Sequence, residues 1–176
     1  MAIFGADERV KQNNTLAWPN ITVAQVVSYF PDGSILQSSG VLIGANDVLA
    51  SGHALHRMEL GGYATAVEVM LGRNGSHKPL GIIDAVAIDV ASGWVQQQQY
   101  SADYGLITLP QPVGNTLGWM ATASISQPED YLQTAMYSLG YPGDKGGALQ
   151  FQTSGSSTSY ADGIYYFSAD LDALAG

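Results

Sequence analysis

The sequence contains no cysteine, which excludes disulfide frameworks, thiol nucleophiles and cysteine-ligated zinc, though not secretion. Basic residues are also scarce: 6 Lys and Arg stand against 15 Asp and Glu, a formal net charge of -9. The imbalance is concentrated in one part of the chain. Residues 1–78 hold 6 acidic and 5 basic residues, whereas residues 79–176 hold 9 acidic residues and one base, Lys145. A surface of that sign repels a phosphate backbone, so no nucleic-acid partner is expected. No run of 18 apolar residues occurs, so no membrane-spanning helix is expected. The start, Met1 to Gly5, lacks a basic region followed by an apolar stretch, so no signal peptide is expected within this sequence.

What is present favours many short strands. Apolar residues make up 46% and aromatic residues 10%, enough for a folded core, while only 12% are charged and glycine is abundant. That composition suits an extracellular all-β protein. The run Ile21 to Phe30 is rich in β-branched residues and stops at Pro31-Asp32-Gly33-Ser34, a turn in which proline presets φ and glycine supplies a positive φ. A return strand is expected from Ile35, then two brief strands, Gly40 to Gly44 and Asp47 to Ala50, around Ala45-Asn46. Further strands are expected at 64–71, 82–90, 105–109, 134–139, 148–154 and 163–169. No long stretch has the 3.6-residue period of a helix; only 53–60 and 127–132 offer a turn or two. The pattern is that of a sandwich or barrel. Pro110 to Asn115 is the best linker, dividing the chain into units 1–112 and 113–176. Met58, Met70, Met120 and Met136 are expected to fill core gaps.

Two segments could carry chemistry. The hydrophobic hairpin Gly40 to Ala50 runs into Ser51-Gly52-His53, which sets an imidazole at the end of a rigid strand, where a general base is best held. Asp103 immediately precedes the apolar strand Gly105 to Leu109, and a carboxylate entering the interior there needs a partner such as an imidazole N–H. Each has a bland reading when taken alone: a hydrogen-bonded turn histidine and a turn-capping aspartate. His53, His56 and Glu59, with His77, could suggest zinc, but position 54 is Ala and the His-Glu-x-x-His spacing is absent; His56 and Glu59 read better as a solvated turn. Asp170 and Asp172 lack the surroundings of a calcium loop. No metal or cofactor is expected.

In order along the chain, these segments resemble the trypsin-like serine peptidases, and most closely their bacterial glutamyl-endopeptidase-like branch. Ile3 to Val10 is similar to the mature start of that branch. Gly44-Ala45-Asn46-Asp47-Val48-Leu49 resembles its step before the catalytic histidine, and Leu139-Gly140-Tyr141-Pro142-Gly143-Asp144-Lys145 resembles its Gly-Tyr-Pro-Gly-Asp-Lys loop. Tyr166 to Asp172 resembles the strand and loop that lead to its nucleophile. The resemblance implies an all-β, trypsin-like fold of two six-stranded antiparallel barrels, with the second barrel incomplete in this chain. It implies a serine endopeptidase with His53 as base and Asp103 as orienting carboxylate, acting on peptide or protein substrates outside the cell. The nucleophile of this family lies in Gly-x-Ser-Gly-Ser-Pro. Gly176 aligns with the first glycine of that motif, so the serine is expected two residues beyond it. Thr153-Ser154-Gly155-Ser156 lacks the flanking Gly and Pro of the motif, and Ser51 is too near His53 in sequence to serve as the nucleophile.

The resemblance also places Asp172 and Ala173 in the specificity pocket. Asp172 stands six residues before the expected serine, and Ala173 stands where glutamyl-specific members usually carry Thr. The acidity of this half of the chain disfavours acidic substrates. An incomplete second barrel is expected to fold poorly after about residue 115 or to self-associate through open strand edges. The alternative reading is a catalytically inactive trypsin-like module with a binding or structural role.

Overall fold

The structure, a computed structural model, describes residues 6–123 and 126–170. Its first sheet grows from the β-branched run of strand β2 (Val23–Tyr29), which follows a short 3-10 turn at Asn20–Thr22. Nearly all of β2 is buried, on both faces. Ala24 and Val26 point into the core of the sheet, whereas Gln25 on the opposite face donates through Nε2 to the carbonyl of Gly147. A strand covered on both sides reads as a continuous apolar run, which is why its alternation is blurred in sequence.

The turn after β2 closes as its residues dictate. The backbone N–H of Ser34 donates to Asp32 Oδ1 at 2.9 Å, and Gly33 adopts φ +89°. Strand β3 (Ile35–Leu42) returns antiparallel along the whole of β2, in register from Tyr29↔Ile35 to Val23↔Val41. The expected break at Ser38-Ser39-Gly40 does not occur. Gly40 lies within the strand because a Cβ there would sit 2.8 Å from Val48 Cγ1 and 3.1 Å from Val26 Cγ2. Strand β4 (Asp47–Ala50) pairs with β3. Two-residue strands β5 (His56–Arg57) and β6 (Gly62–Tyr63) form a small separate hairpin, and β7 (Ala66–Leu71) pairs with β2.

The expected strand 82–90 is bent. Its first half, β8 (Ile83–Asp84), pairs with β7, and its second half, β9 (Ala87–Val90), pairs with β10 (Gly105–Thr108). Between them the Ala85 N–H donates to Val67 O and the Val86 N–H to Thr108 O, so one bent segment joins the two edges of the sheet. The sheet thereby closes as a barrel of six strand positions, with Leu42, Val48, Leu55, Val69, Ile107 and Leu109 fully buried in its core. Each such side chain contributes about 1.5–3 kcal/mol through its burial.

The second sheet is built on the long strand β12 (Phe151–Ala161), paired on one side with β11 (Ala135–Gly140). On the other side β12 pairs first with β1 (Val10–Lys11) and then with β13 (Ile164–Phe167). Among the described residues this sheet has four strands and does not close. The helical content is small: α1 (Ser92–Gln97), α2 (Gly114–Leu117) and several 3-10 turns, among them Gly52–Ala54, Met58–Leu60 and Pro128–Tyr131 in the two stretches that suggested helical turns. Met70 is buried as expected, but Met58 is 63% exposed, because it sits in a surface 3-10 turn outside the barrel. Among the described residues no helix is long and apolar enough to cross a membrane.

Candidate active site

The strand register brings the two suspected residues together. Gly105 of β10 pairs directly with Ala50 of β4, and the strands are antiparallel, so the C-terminal end of β4 lies beside the N-terminal end of β10. His53 follows β4 through the extended residue Ser51 and the 3-10 turn Gly52–Ala54, and Asp103 precedes β10 after the 3-10 turn Tyr100–Ala102. His53 Nδ1 lies 2.6 Å from Asp103 Oδ2, and the backbone N–H of His53 donates to Asp103 Oδ1 at 2.7 Å. Both side chains are mostly covered, with 17% and 18% exposure. Gly52 permits this approach: a Cβ there would lie 3.1 Å from Asp103 Oδ1.

The carboxylate fixes the state of the ring. Burial pushes the Asp103 carboxyl up, but the hydrogen bonds from His53 and its charge, with a smaller effect from Arg57, outweigh it and hold the group below its ordinary value. Asp103 is therefore an acceptor at both oxygens. The proton of a neutral His53 belongs on Nδ1, which leaves Nε2 with a lone pair.

His53 lines a cleft of about 290 Å³ between the two sheets. Ser38, Ser39 and Ser51 face it from the first sheet, and Tyr141, Thr153 and Asp170 from the second. The sheets meet beside it: the backbone N–H of Tyr141 donates to Ser39 Oγ at 2.8 Å, and the Tyr141 hydroxyl donates to Arg73 O at 3.0 Å. Burial pushes the Tyr141 phenol up, so it stays neutral. Ser38 Oγ and Thr153 Oγ1 are buried with no hydrogen-bond partner among the described residues. Buried hydroxyls left in this way can take up a further polar group.

Two of the motifs read in the sequence also meet in space. Arg9 grips Asp7 at 2.9 Å and Asp144 at 2.5 Å, and Lys145 Nζ lies 2.6 Å from Asp7. Asp7 is held well below the carboxylate range by its hydrogen bonds from Arg9 and Lys145. One residue along, the Glu8 backbone N–H donates to Asp170 Oδ2 at 2.7 Å. The amino-terminal strap thus ties down both the Gly143–Lys145 turn and Asp170, which lines the cleft. Sequence reasoning did not foresee this cluster; opposite charges in two motifs of one family were the available signal.

Among the described residues, Ser154, His56 and Glu59 do not line the cleft. Asp172 and Ala173 lie outside the described residues. Ser154 is exposed on β12, on the face opposite Thr153. His56 is buried against Tyr63, with ring centroids 4.6 Å apart, and so is not part of a solvated turn, whereas Glu59 is exposed beside Arg57. Among the described residues no group of three His, Asp or Glu side chains could hold a metal ion.

No family model matches the chain. It is, however, 32% identical over 154 residues to a glutamyl endopeptidase of Bacillus licheniformis, covering 88% of this chain and 46% of the relative. The chain is a relative of the trypsin-like serine peptidases, with its similarity to the glutamyl-endopeptidase branch. An extracellular metalloprotease of Bacillus subtilis is 30% identical over 147 residues, covering 82% of this chain and 46% of the relative. A Glu endopeptidase solved in complex with MPD superposes with a TM-score of 0.79 at 26% identity, covering 96% of this chain and 79% of that one. The fold is accordingly the trypsin-like one. The chain spans about half the length of the curated relatives it matches, 46% in each case.

Proposed function

We propose that this chain supplies the histidine and aspartate of a serine endopeptidase, and that the nucleophilic serine lies two residues beyond Gly176. The observation that carries the reading is the double contact of Asp103 with His53, at 2.6 and 2.7 Å, at the mouth of the cleft between the sheets. In this scheme His53 Nε2 takes the proton of the serine hydroxyl as its oxygen attacks the peptide carbonyl. The imidazolium is stabilised by Asp103, which stays ionised. It then returns the proton to the leaving amine, and water hydrolyses the acyl-enzyme through the same base. Ser38 and Thr153, with their unpaired buried hydroxyls, offer hydrogen bonds to the chain that carries the nucleophile into the cleft.

The two lobes are assigned to 1–112 and 113–176, except that strand β1 crosses into the second sheet. Asp172 and Ala173 are assigned to the specificity pocket, and the acidity of this half of the chain favours non-acidic substrates. An extracellular location is supported by composition and by the similarity to an extracellular metalloprotease of Bacillus subtilis.

The test uses the natural full-length protein against a panel of chromogenic peptides and a fluorophosphonate probe. Hydrolysis is expected, with the probe on the serine two residues after Gly176, and His53→Ala is expected to lower kcat by at least about 10⁴-fold. Hydrolysis that survives both His53→Ala and Asp103→Ala overturns the assignment. A folded, unlabelled and inert protein establishes the inactive module instead.

A further inference from the structure

Trp94 lies beside the His53–Asp103 pair, and no step of the proposed chemistry uses it. It stands in α1, which starts from Ala91, and the Ala91 N–H donates to Tyr104 O at 3.1 Å. The helix therefore hangs from the residue next to Asp103. From there the indole reaches across to the segment that carries the histidine. Its Nε1–H donates to the carbonyl of His56 at 3.0 Å. Its ring meets His53 edge-on, with centroids 6.1 Å apart and planes at 61°. Its Cδ1 would lie 3.1 Å from a Cβ on Gly52, as close as Asp103 Oδ1 would be. Gly52 is thus pinched between the indole and the carboxylate. Tyr100, three residues before Asp103, also packs near the indole, with ring centroids 6.3 Å apart.

These contacts form a brace. One end is fixed to the strand entry that bears Asp103, and the other fixes the turn that bears His53 through the carbonyl three residues further on. We infer that Trp94 is a positioning residue that holds the imidazole against the Asp103 carboxylate and keeps water from the Nδ1–H···Oδ2 bond. The inference rests on the reading that His53 and Asp103 act as a pair. A short hydrogen bond between partly covered groups lasts only while neither partner can turn to solvent. The indole supplies both a directional N–H anchor and a bulky edge.

The test is made on this chain, without a nucleophile, by following the His53 Nδ1 proton by NMR alongside thermal melts. Trp94→Phe keeps an aromatic ring but removes the N–H with the pyrrole part of the indole; Trp94→Ala removes the aromatic side chain altogether. At temperatures where each variant is equally folded, Trp94→Phe is expected to exchange that proton about tenfold faster than the parent, the factor set by one hydrogen bond of about 1.4 kcal/mol. Trp94→Ala is expected to lose the signal altogether. If Trp94→Ala does not fold, Trp94→Phe alone decides. Unchanged exchange with only a lower melting temperature makes Trp94 an ordinary packing residue and overturns the inference alone. Absence of the protected proton from the parent chain overturns the pairing and the inference together.

Discussion

Replacing Asp103 by Asn separates what the carboxylate does electrostatically from the space it fills. The amide is nearly isosteric and its oxygen can still accept from the His53 backbone N–H, now bonded at 2.7 Å. The other end changes sign. An NH₂ group 2.6 Å from Nδ1 can only donate, so the ring must carry its proton on Nε2. That is the nitrogen the proposed mechanism needs as acceptor. The backbone contact should spare the fold: two charge-assisted hydrogen bonds become neutral ones, a cost of about 1 kcal/mol each. The cost in catalysis is far larger, about 10⁴-fold in kcat/KM or about 5.5 kcal/mol of transition-state stabilisation.

Two assays read these effects separately. Nitrogen-15 shifts of His53 in this chain should report the proton on Nδ1 in the parent and on Nε2 in Asp103→Asn. Peptide hydrolysis by the full-length protein should fall by the stated factor. Acid titration adds a third reading. Asp103 is held below its ordinary value, so its contribution to stability is complete above the unfolded value of about 3.9 and is lost as pH falls through the lower folded value. Asp103→Asn should flatten the stability profile in that acid window, and near neutrality it should lower stability by the contribution that the carboxylate no longer makes. An Asn variant with an unchanged tautomer, or with more than about a tenth of parental activity, refutes the assignment of Asp103 as orienting group.

Other consequences follow from the packing. Leu42→Ala, at a fully buried barrel position, should cost about 2–5 kcal/mol in urea unfolding. Gly40→Ala should cost about 1–3 kcal/mol by overpacking, since its Cβ would stand 2.8 Å from Val48. Arg9→Ala leaves Asp7 and Asp144 without their shared guanidinium, so amide protection should fall selectively in β1 and at Lys145, with little change in the barrel core. Because Asp7 is held low, the parent strap should release only in acid, as pH falls below about 4 through the depressed value. The second sheet, unclosed among the described residues, should make this chain self-associate, seen as concentration-dependent sedimentation; a monomer at all concentrations contradicts that expectation.

The barrel was legible in sequence wherever strand period and turn chemistry agreed, as at Tyr29–Pro31–Gly33–Ile35. It was less legible where a residue served a distant contact. Gly40 looked like a break because its reason, the approach of Val48 and Val26, lies on other strands. The bend at Ala85-Val86 passed as plain strand because both halves are paired, each with a different neighbour. Helix α1 is too short to show a period, and β1 is recognised only through its partner β12. His56 kept its polar appearance in sequence while packing its ring against Tyr63.

The candidate site divides along the same line. His53 and Asp103 could be found because strand ends are readable, and because the family-like step Gly44 to Leu49 precedes the histidine. Their meeting depends on one register, Gly105 opposite Ala50, and a slip of a single residue would turn the strand faces over and carry the carboxylate away from the ring. That register is set by the inward rows Val48–Ile107 and Leu42–Val48, which are apolar and fully buried. The core therefore determines the chemistry one turn beyond it. Trp94 and Gly52 then convert approximate proximity into a bonded pair, one by bracing the turn and the other by having no side chain. Substitutions at these two positions should accordingly weaken the His53–Asp103 contact more than they weaken the barrel, the reverse of the pattern expected for Leu42 or Ile107.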